Sequence, residues 1–239
     1  MKPGETSRGK FIVIEGTDGS GKGTHTQLLI DWLTERGDEF EAFDFPQYGQ
    51  PSAYFVEQYL NGSYGSLGEI GPYRGSLFYA LDRYQAGFKI REALSSGVHV
   101  LSNRYVGSNM GHQGGKIDND QERAAYFIWN DNLEFEILGI PRPDLNIVLH
   151  MPSRQAQLFV DQKAKRDYIG GKKRDLHEAD LGHLKKAERT YLELCSTFPE
   201  TYTRVPCEKD GVILPLDHIQ QQIRALVEPL LSGRDIIEP

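Results

Sequence analysis

The stretch Phe11-Ile-Val-Ile-Glu-Gly16-Thr-Asp-Gly-Ser-Gly21-Lys22-Gly-Thr24 passes from a short apolar run through a glycine-rich turn into a lysine that opens a helix-like segment. That order builds a phosphate cradle. Glycines let successive backbone N–H groups point inward at an anion, and Lys22 adds a charge that can follow a phosphate. The helix starting there brings its positive dipole end to the same place. Its course is clear: Leu29, Trp32 and Leu33 fall at helical spacing, and Gly37 is a natural C-terminal stop. The pattern G-x-x-x-x-G-K-[ST] is not met to the letter, because Gly23 follows Lys22 and the hydroxyl arrives one residue late, at Thr24. The expected ligand is a nucleoside triphosphate, held by Gly16, Thr17, Asp18, Gly19, Ser20, Gly21, Lys22, Gly23 and Thr24.

Outward from this loop, the 239 residues fit one α/β domain over 1–239, or one domain with a small mobile insert. A hydrophobic share of 38% supports a real core and argues against disorder. The net charge of −7 argues against a broad nucleic-acid surface, so bound anions must meet local basic clusters. Cys195 and Cys207 lack metal-ligand spacing and fit reduced thiols in a cytoplasmic protein. No signal peptide and no apolar run of membrane length is expected.

Apolar runs at 11–15, 40–45, 98–102 and 145–150 read as buried strands, with a weaker one near 202–206. Helical patterns lie between them near 22–36, 52–60, 73–95, 119–138, 153–165, 178–197 and 215–231. The alternation predicts a parallel sheet with helices on both faces. Ligands of such sheets sit beyond the carboxyl ends of the strands. After the second strand comes Phe45-Pro46-Gln47-Tyr48-Gly49; after the third come Asn103-Arg104-Tyr105, Ser108-Asn109 and His112-Gln113-Gly114-Gly115-Lys116. These polar clusters should converge on one cleft.

The phosphate loop, the Phe-Pro pair, the Arg-Tyr after strand three, Leu77-Phe-Tyr-Ala-Leu-Asp-Arg83-Tyr84, Gly139-Ile-Pro-Arg-Pro-Asp144 and a basic segment near 163–174 occur in one order. In that order the chain resembles the thymidylate kinase family of P-loop nucleoside monophosphate kinases, from about Lys10 to Leu226. The resemblance implies a P-loop NTPase-type fold, a mobile lid at about 163–176, ATP and dTMP as substrates, Mg²⁺ as cofactor and a homodimer. The implied reaction is in-line transfer of the ATP γ-phosphoryl group to dTMP, giving dTDP on the way to dTTP.

Tyr79 and Arg83, four apart, share a helix face, and an aromatic ring beside a planar cation suits a nucleobase. The family holds thymine with such a pair; a core tyrosine beside a surface arginine would give the same spacing. Arg104 matches a phosphate bidentately, and the resemblance places it on the acceptor phosphate, with Asp18 near the acceptor sugar or pairing with Arg104. Asn109 is implied at the base edge, His112 near the sugar and Gln113 at base or sugar. Phe45 and Pro46 are implied as pocket walls and Tyr105 as a further substrate contact, although core packing would look the same. Between Lys163 and Arg174 lie Lys163, Lys165, Arg166, Lys172, Lys173 and Arg174, around Gly170 and Gly171. Relatives with a small residue at Gly19 supply arginine from this lid, so Arg166 or Arg174 is implied as catalytic beside Lys22, Arg104 and Asp18. Thr24 is the implied metal contact, mostly through water.

Three departures stand out: Asn103 where many relatives have Asp, Gly23 after the lysine, and Gln47-Tyr48 where some relatives place an arginine. They leave room for another nucleoside monophosphate kinase, or for a nucleotide-binding relative with weak or no catalysis. A small GTPase is not expected, because no Asn-Lys-x-Asp motif follows a later strand.

Overall fold

The computed structural model describes residues 8–169 and 181–232. Five strands, β1 (Phe11–Gly16), β2 (Phe40–Asp44), β3 (His99–Asn103), β4 (Leu145–His150) and β5 (Tyr202–Pro206), form one sheet in the order β2-β3-β1-β4-β5. Every neighbouring pair is parallel. The central strand is β1, and the phosphate loop leaves its carboxyl end.

Period-two alternation along β1 divides the interior in two. Phe11 and Val13 point into one core with Ile90, Val100 and Tyr105, while Ile12 and Ile14 point into another with Leu29, Leu33, Ile147 and Ile223. Each such fully buried side chain contributes roughly 1.5–3 kcal/mol relative to exposure. Helices therefore cover both faces, as the apolar runs required. α1 (Lys22–Arg36) and α8 (Leu216–Ser232) lie over the second core; α3 (Leu67–Ser95), α4 (Val106–Gly114) and α7 (Leu181–Thr197) lie over the first. The remaining helices are α2 (Tyr54–Leu60), α5 (Asp120–Asp131) and α6 (Ser153–Ile169).

Some elements depart from expectation. α3 reaches back to Leu67, through a non-helical Gly71 (φ 72°) followed by Pro72, so the expected 73–95 is its second, continuous part. α5 passes into a wider π-type stretch at Asn132–Ile137. Residues 106–114, expected as polar strand-end clusters, form a helix despite three glycines. Close packing explains it: a Cβ on Gly107 would stand 2.9 Å from the Tyr202 ring, and one on Gly111 2.4 Å from the Tyr191 ring. Contacts with neighbouring elements outweigh poor helix propensity there. A hairpin of β6 (Glu208–Lys209) and β7 (Val212–Ile213) also goes beyond expectation, turning through left-handed Asp210 and Gly211.

Among the described residues, no helix is long and apolar enough to cross a membrane.

Candidate active site

A cavity of about 790 Å³ opens over the carboxyl edge of the sheet and is floored by residues 18–25. The turn has the glycines it needs. Gly16, Gly19 and Gly21 have φ of 139°, 78° and 85°, which L side chains rarely adopt. A Cβ on Gly19 would come within 2.1 Å of the Ala156 carbonyl at the start of α6. Lys22 is buried and donates to the Thr17 carbonyl at 2.7 Å. The Thr17 and Ser20 hydroxyl oxygens are buried with no hydrogen-bond partner, as expected of a loop shaped around a polar ligand. Gly23 is different: a Cβ there would meet nothing within 4 Å.

On the side of β3 and α4, Glu15 organises the wall. Its carboxylate is fully buried and accepts from the N–H groups of Tyr105 (2.7 Å) and Ser108 (3.0 Å), the Ser108 hydroxyl (2.7 Å) and the Tyr191 hydroxyl (3.1 Å). It thus caps the N-terminus of α4 from β1, satisfying donors no helical carbonyl can reach. α4 then presents Asn109, His112 and Gln113 to the cavity. Arg104, just before α4, has φ 66°. A non-glycine residue in that region costs of order 1–3 kcal/mol and persists where its surroundings hold it. Its N–H donates to the Ile14 carbonyl at 2.9 Å, and its guanidinium pairs with Asp18. Burial pushes the Asp18 carboxyl up, but Arg104 and Lys22 outweigh it and hold the group far below the usual carboxylate range.

Farther in lies a set of polar groups with fixed orientations. Arg83 is buried and forks onto buried Glu134, with Nη2–Oε1 at 2.7 Å. Its Nη1 takes no part in that fork. The Asn109 Nδ2 donates to Glu134 (2.9 Å) and to the Ser76 carbonyl (3.1 Å), leaving Oδ1 as its group for the cavity. Lys116 donates to the Gln113 Oε1 at 2.8 Å and to the Tyr59 hydroxyl at 2.7 Å. A lysine only donates, so Gln113 keeps Nε2 for the cavity. Tyr79 and Phe45 supply aromatic surface, and Pro46 follows Phe45 through a cis peptide bond.

The opposite end is apolar, lined by Met151, Phe159, Val160, Ile213, Leu214, Leu216 and Ile219. Residues 206–211 do not line it, and the strand and helix start that follow them do.

Other expectations change as well. Tyr105 does not line the cavity: its side chain is buried between Phe11 and Phe45, with its hydroxyl on the Pro141 carbonyl at 3.2 Å. Gly16 and Thr17 shape the loop from below without lining the cavity. Gln47 turns away to Asp82, with its N–H at 2.8 Å from the carboxylate. Asn103 donates to Asp44 at 2.9 Å, so a carboxylate stands at that edge after all, supplied by β2. Arg166 falls in the last turns of α6, and Arg174 lies outside the described residues. Glu15, Glu134 and Asp44 escaped the sequence reading. Glu15, a charge in an apolar strand, and Glu134, an acid in an aromatic-rich helix, carried the only signal.

The profile of the family described as "Thymidylate kinase" matches residues 14–212. The chain belongs to the thymidylate kinase family. Among its relatives, the thymidylate kinase of Mycobacterium tuberculosis is 31% identical over 188 residues, covering 78% of this chain and 86% of its own. Those of Clavibacter sepedonicus and Chromohalobacter salexigens are each 29% identical over 228 residues, covering 94% of this chain and 97% and 98% of theirs. Thymidylate kinase family membership makes the chain a nucleoside monophosphate kinase, a phosphotransferase.

Proposed function

We propose that the cavity transfers the γ-phosphoryl group of ATP to dTMP, with the phosphate loop and Lys22 on the triphosphate and Arg104 on the acceptor phosphate. The observation that carries the acceptor is the pattern of locked amides. Asn109 offers an acceptor, while Gln113 and Arg83 offer donors. Thymine presents an N3–H and two carbonyls, which complement that set. Cytosine and adenine place an exocyclic amine where these side chains also donate, leaving buried donors unpaired, which costs about 1–3 kcal/mol each.

Phosphoryl transfer asks the protein mainly for position and charge. The amides of 19–24 and Lys22 neutralise the donor, and the Arg104 fork, held by Asp18, grips the acceptor. No general base is needed, because a monophosphate is largely ionised near neutral pH. Gly19 has no room for a side chain, which supports arginine from the lid, Arg166 or Arg174, on the moving group. The apolar end takes adenine. Mg²⁺ fits the donors present: Thr24 lines the cavity and Ser20 has an orphan hydroxyl. Among the described residues, no group of three or more His, Cys, Asp or Glu forms a protein cage. A cation arriving with the triphosphate and its own water matches that arrangement, and would spread charge over the β- and γ-phosphates.

The other face of α3 supports a homodimer. Tyr73, Leu77, Leu81, Tyr84 and Phe88 are each 38–51% exposed and recur every three or four residues, a continuous apolar stripe on a surface helix. Two free thiols, Cys195 and Cys207, suit the cytoplasm.

The deciding experiment is an acceptor panel of dTMP, dUMP, AMP, CMP and GMP with ATP and Mg²⁺. Preference for dTMP is expected, and preference for AMP or CMP would refute the assignment. Sedimentation of wild type and Leu81→Glu tests the dimer; a wild-type monomer would end that part.

A further inference from the structure

We propose that His183, in the first turn of α7, is a positioning residue for the acceptor-phosphate arginine, acting through His112 by a hydrogen-bond chain of fixed direction. The proposal rests on the reading of Arg104 as the acceptor clamp.

The direction follows from what each atom can do. Arg104 Nη1 lies 3.1 Å from His112 Nε2, and His112 Nδ1 lies 3.2 Å from His183 Nε2. A guanidinium only donates, so His112 Nε2 accepts and the ring carries its proton on Nδ1. That proton is given to His183 Nε2, which accepts in turn and places the His183 proton on Nδ1. Both rings are therefore neutral, and the chain runs one way, from arginine to α7. A second proton on either ring leaves a donor facing a donor.

The packing holds this arrangement. The two imidazoles are nearly parallel, at 19° with centroids 5.4 Å apart, and the Tyr191 ring meets His112 edge-on at 88°. Tyr191 is also on α7, and its hydroxyl reaches Glu15, the carboxylate that caps α4. Among the described residues, the charged and titratable groups around His112 include Asp18 and Lys22 from the phosphate loop, Arg104 beside α4, and Tyr191 and His183 from α7. Burial, more than any of them, disfavours the protonated His112 ring. The guanidinium is then fixed from two sides: Nη2 by Asp18, and Nη1 by His112 with the Ser108 hydroxyl at 3.4 Å. α7 thereby sets the plane in which the arginine meets a phosphate.

The test varies dTMP at saturating ATP and pH 8 in wild type, His183→Leu and His183→Gln. Leucine cannot accept, so the dTMP KM should rise about 2- to 13-fold, the worth of one neutral hydrogen bond, with the ATP KM unchanged. Glutamine offers an amide oxygen and should stay within about twofold of wild type on the same scale. Lowering the pH to 6 should raise the dTMP KM more in wild type than in His183→Gln; protonation of the nucleotide itself cancels in that ratio. This comparison stands even where His183→Leu fails to fold. An unchanged dTMP KM in His183→Leu, an equal rise for ATP, a glutamine variant as impaired as leucine, or identical pH profiles would each overturn the proposal. Wild type that does not use dTMP, or Arg104→Ala with a normal dTMP KM, would mean instead that the acceptor assignment had failed and taken this inference with it.

Discussion

Glu134 offers the sharpest separation of stability from recognition. Its buried carboxylate receives two bonds from Arg83, one from Asn109 and one from Asn130 (3.2 Å). Replacing it with leucine leaves the Arg83 charge buried without a partner, a loss of about 3–5 kcal/mol when one member of a buried pair is removed. Two asparagine amides also lose an acceptor, at about 1–3 kcal/mol each if they find no other. Asn109 keeps the Ser76 carbonyl, so its share falls at the low end. Adding Arg83→Met removes the stranded charge, and the double variant should regain most of the ion-pair loss, because apolar replacement of a buried pair is often neutral. Recognition should not recover, since the Arg83 donor has gone and Asn109 has lost one of the bonds that orient it. Urea unfolding and the dTMP KM of wild type, Glu134→Leu and Arg83→Met/Glu134→Leu measure both. A double variant no more stable than the single would show that a stranded charge is not the cost. A double variant binding dTMP like wild type would show that this cluster does not read the base.

Lys22→Ala and Arg104→Ala should each lower kcat/KM by about 10²–10³-fold, the range for a lost charged or oxyanion contact; near-normal turnover in both would refute their phosphate roles. Asn103→Asp sets a second carboxylate against Asp44, where the 2.9 Å hydrogen bond now lies. Such a pair raises one pKa, so its penalty is full at pH 7 and relieved as pH falls through that raised value. The melting temperature should drop more at pH 7 than at pH 5 and return when Asp44→Asn is added; a loss independent of pH would argue against the pair. His112 has its pKa held well below the ordinary 6.5, chiefly by burial. As pH falls below 6.5 the unfolded chain takes a proton that the folded one refuses, and stability declines by up to about 1.4 kcal/mol per pH unit from this group. His112→Gln should show a shallower acid loss between pH 6.5 and 5 in urea unfolding, and equal slopes would exclude His112 as the source.

By itself the sequence determined what local patterning can carry. The unbroken apolar run Phe11–Ile14 required a strand buried on both faces, and the glycines at 16, 19 and 21 with Lys22 required a phosphate loop at its end. The five strands and the run of α1 follow closely from that logic. Helix α4 was hidden because glycine at 107, 111 and 114 speaks against a helix locally, and only the rings of Tyr202, Tyr191 and Phe127 pressed against it explain the choice. The β6–β7 hairpin carried a legible Asp-Gly turn, but its two short strands have too little apolar pattern to announce themselves.

The site divides in the same way. Arg104, Asn109 and Gln113 could be singled out from their place after β3, while the atoms they offer could not. Tyr105 sits in the same cluster yet packs into the core. Which end of an amide faces the cavity depends on partners far away in the chain: Glu134 for Asn109, 25 residues on, and Ser76, 33 residues back. The tertiary structure alone decided the meeting of His112 with His183, 71 residues apart, and the carboxylate of Asp44 beside Asn103, 59 residues away. A sequence pattern reports the period of burial along one element. Hydrogen-bond direction and charge pairing are set between elements, where only folding brings donor and acceptor together.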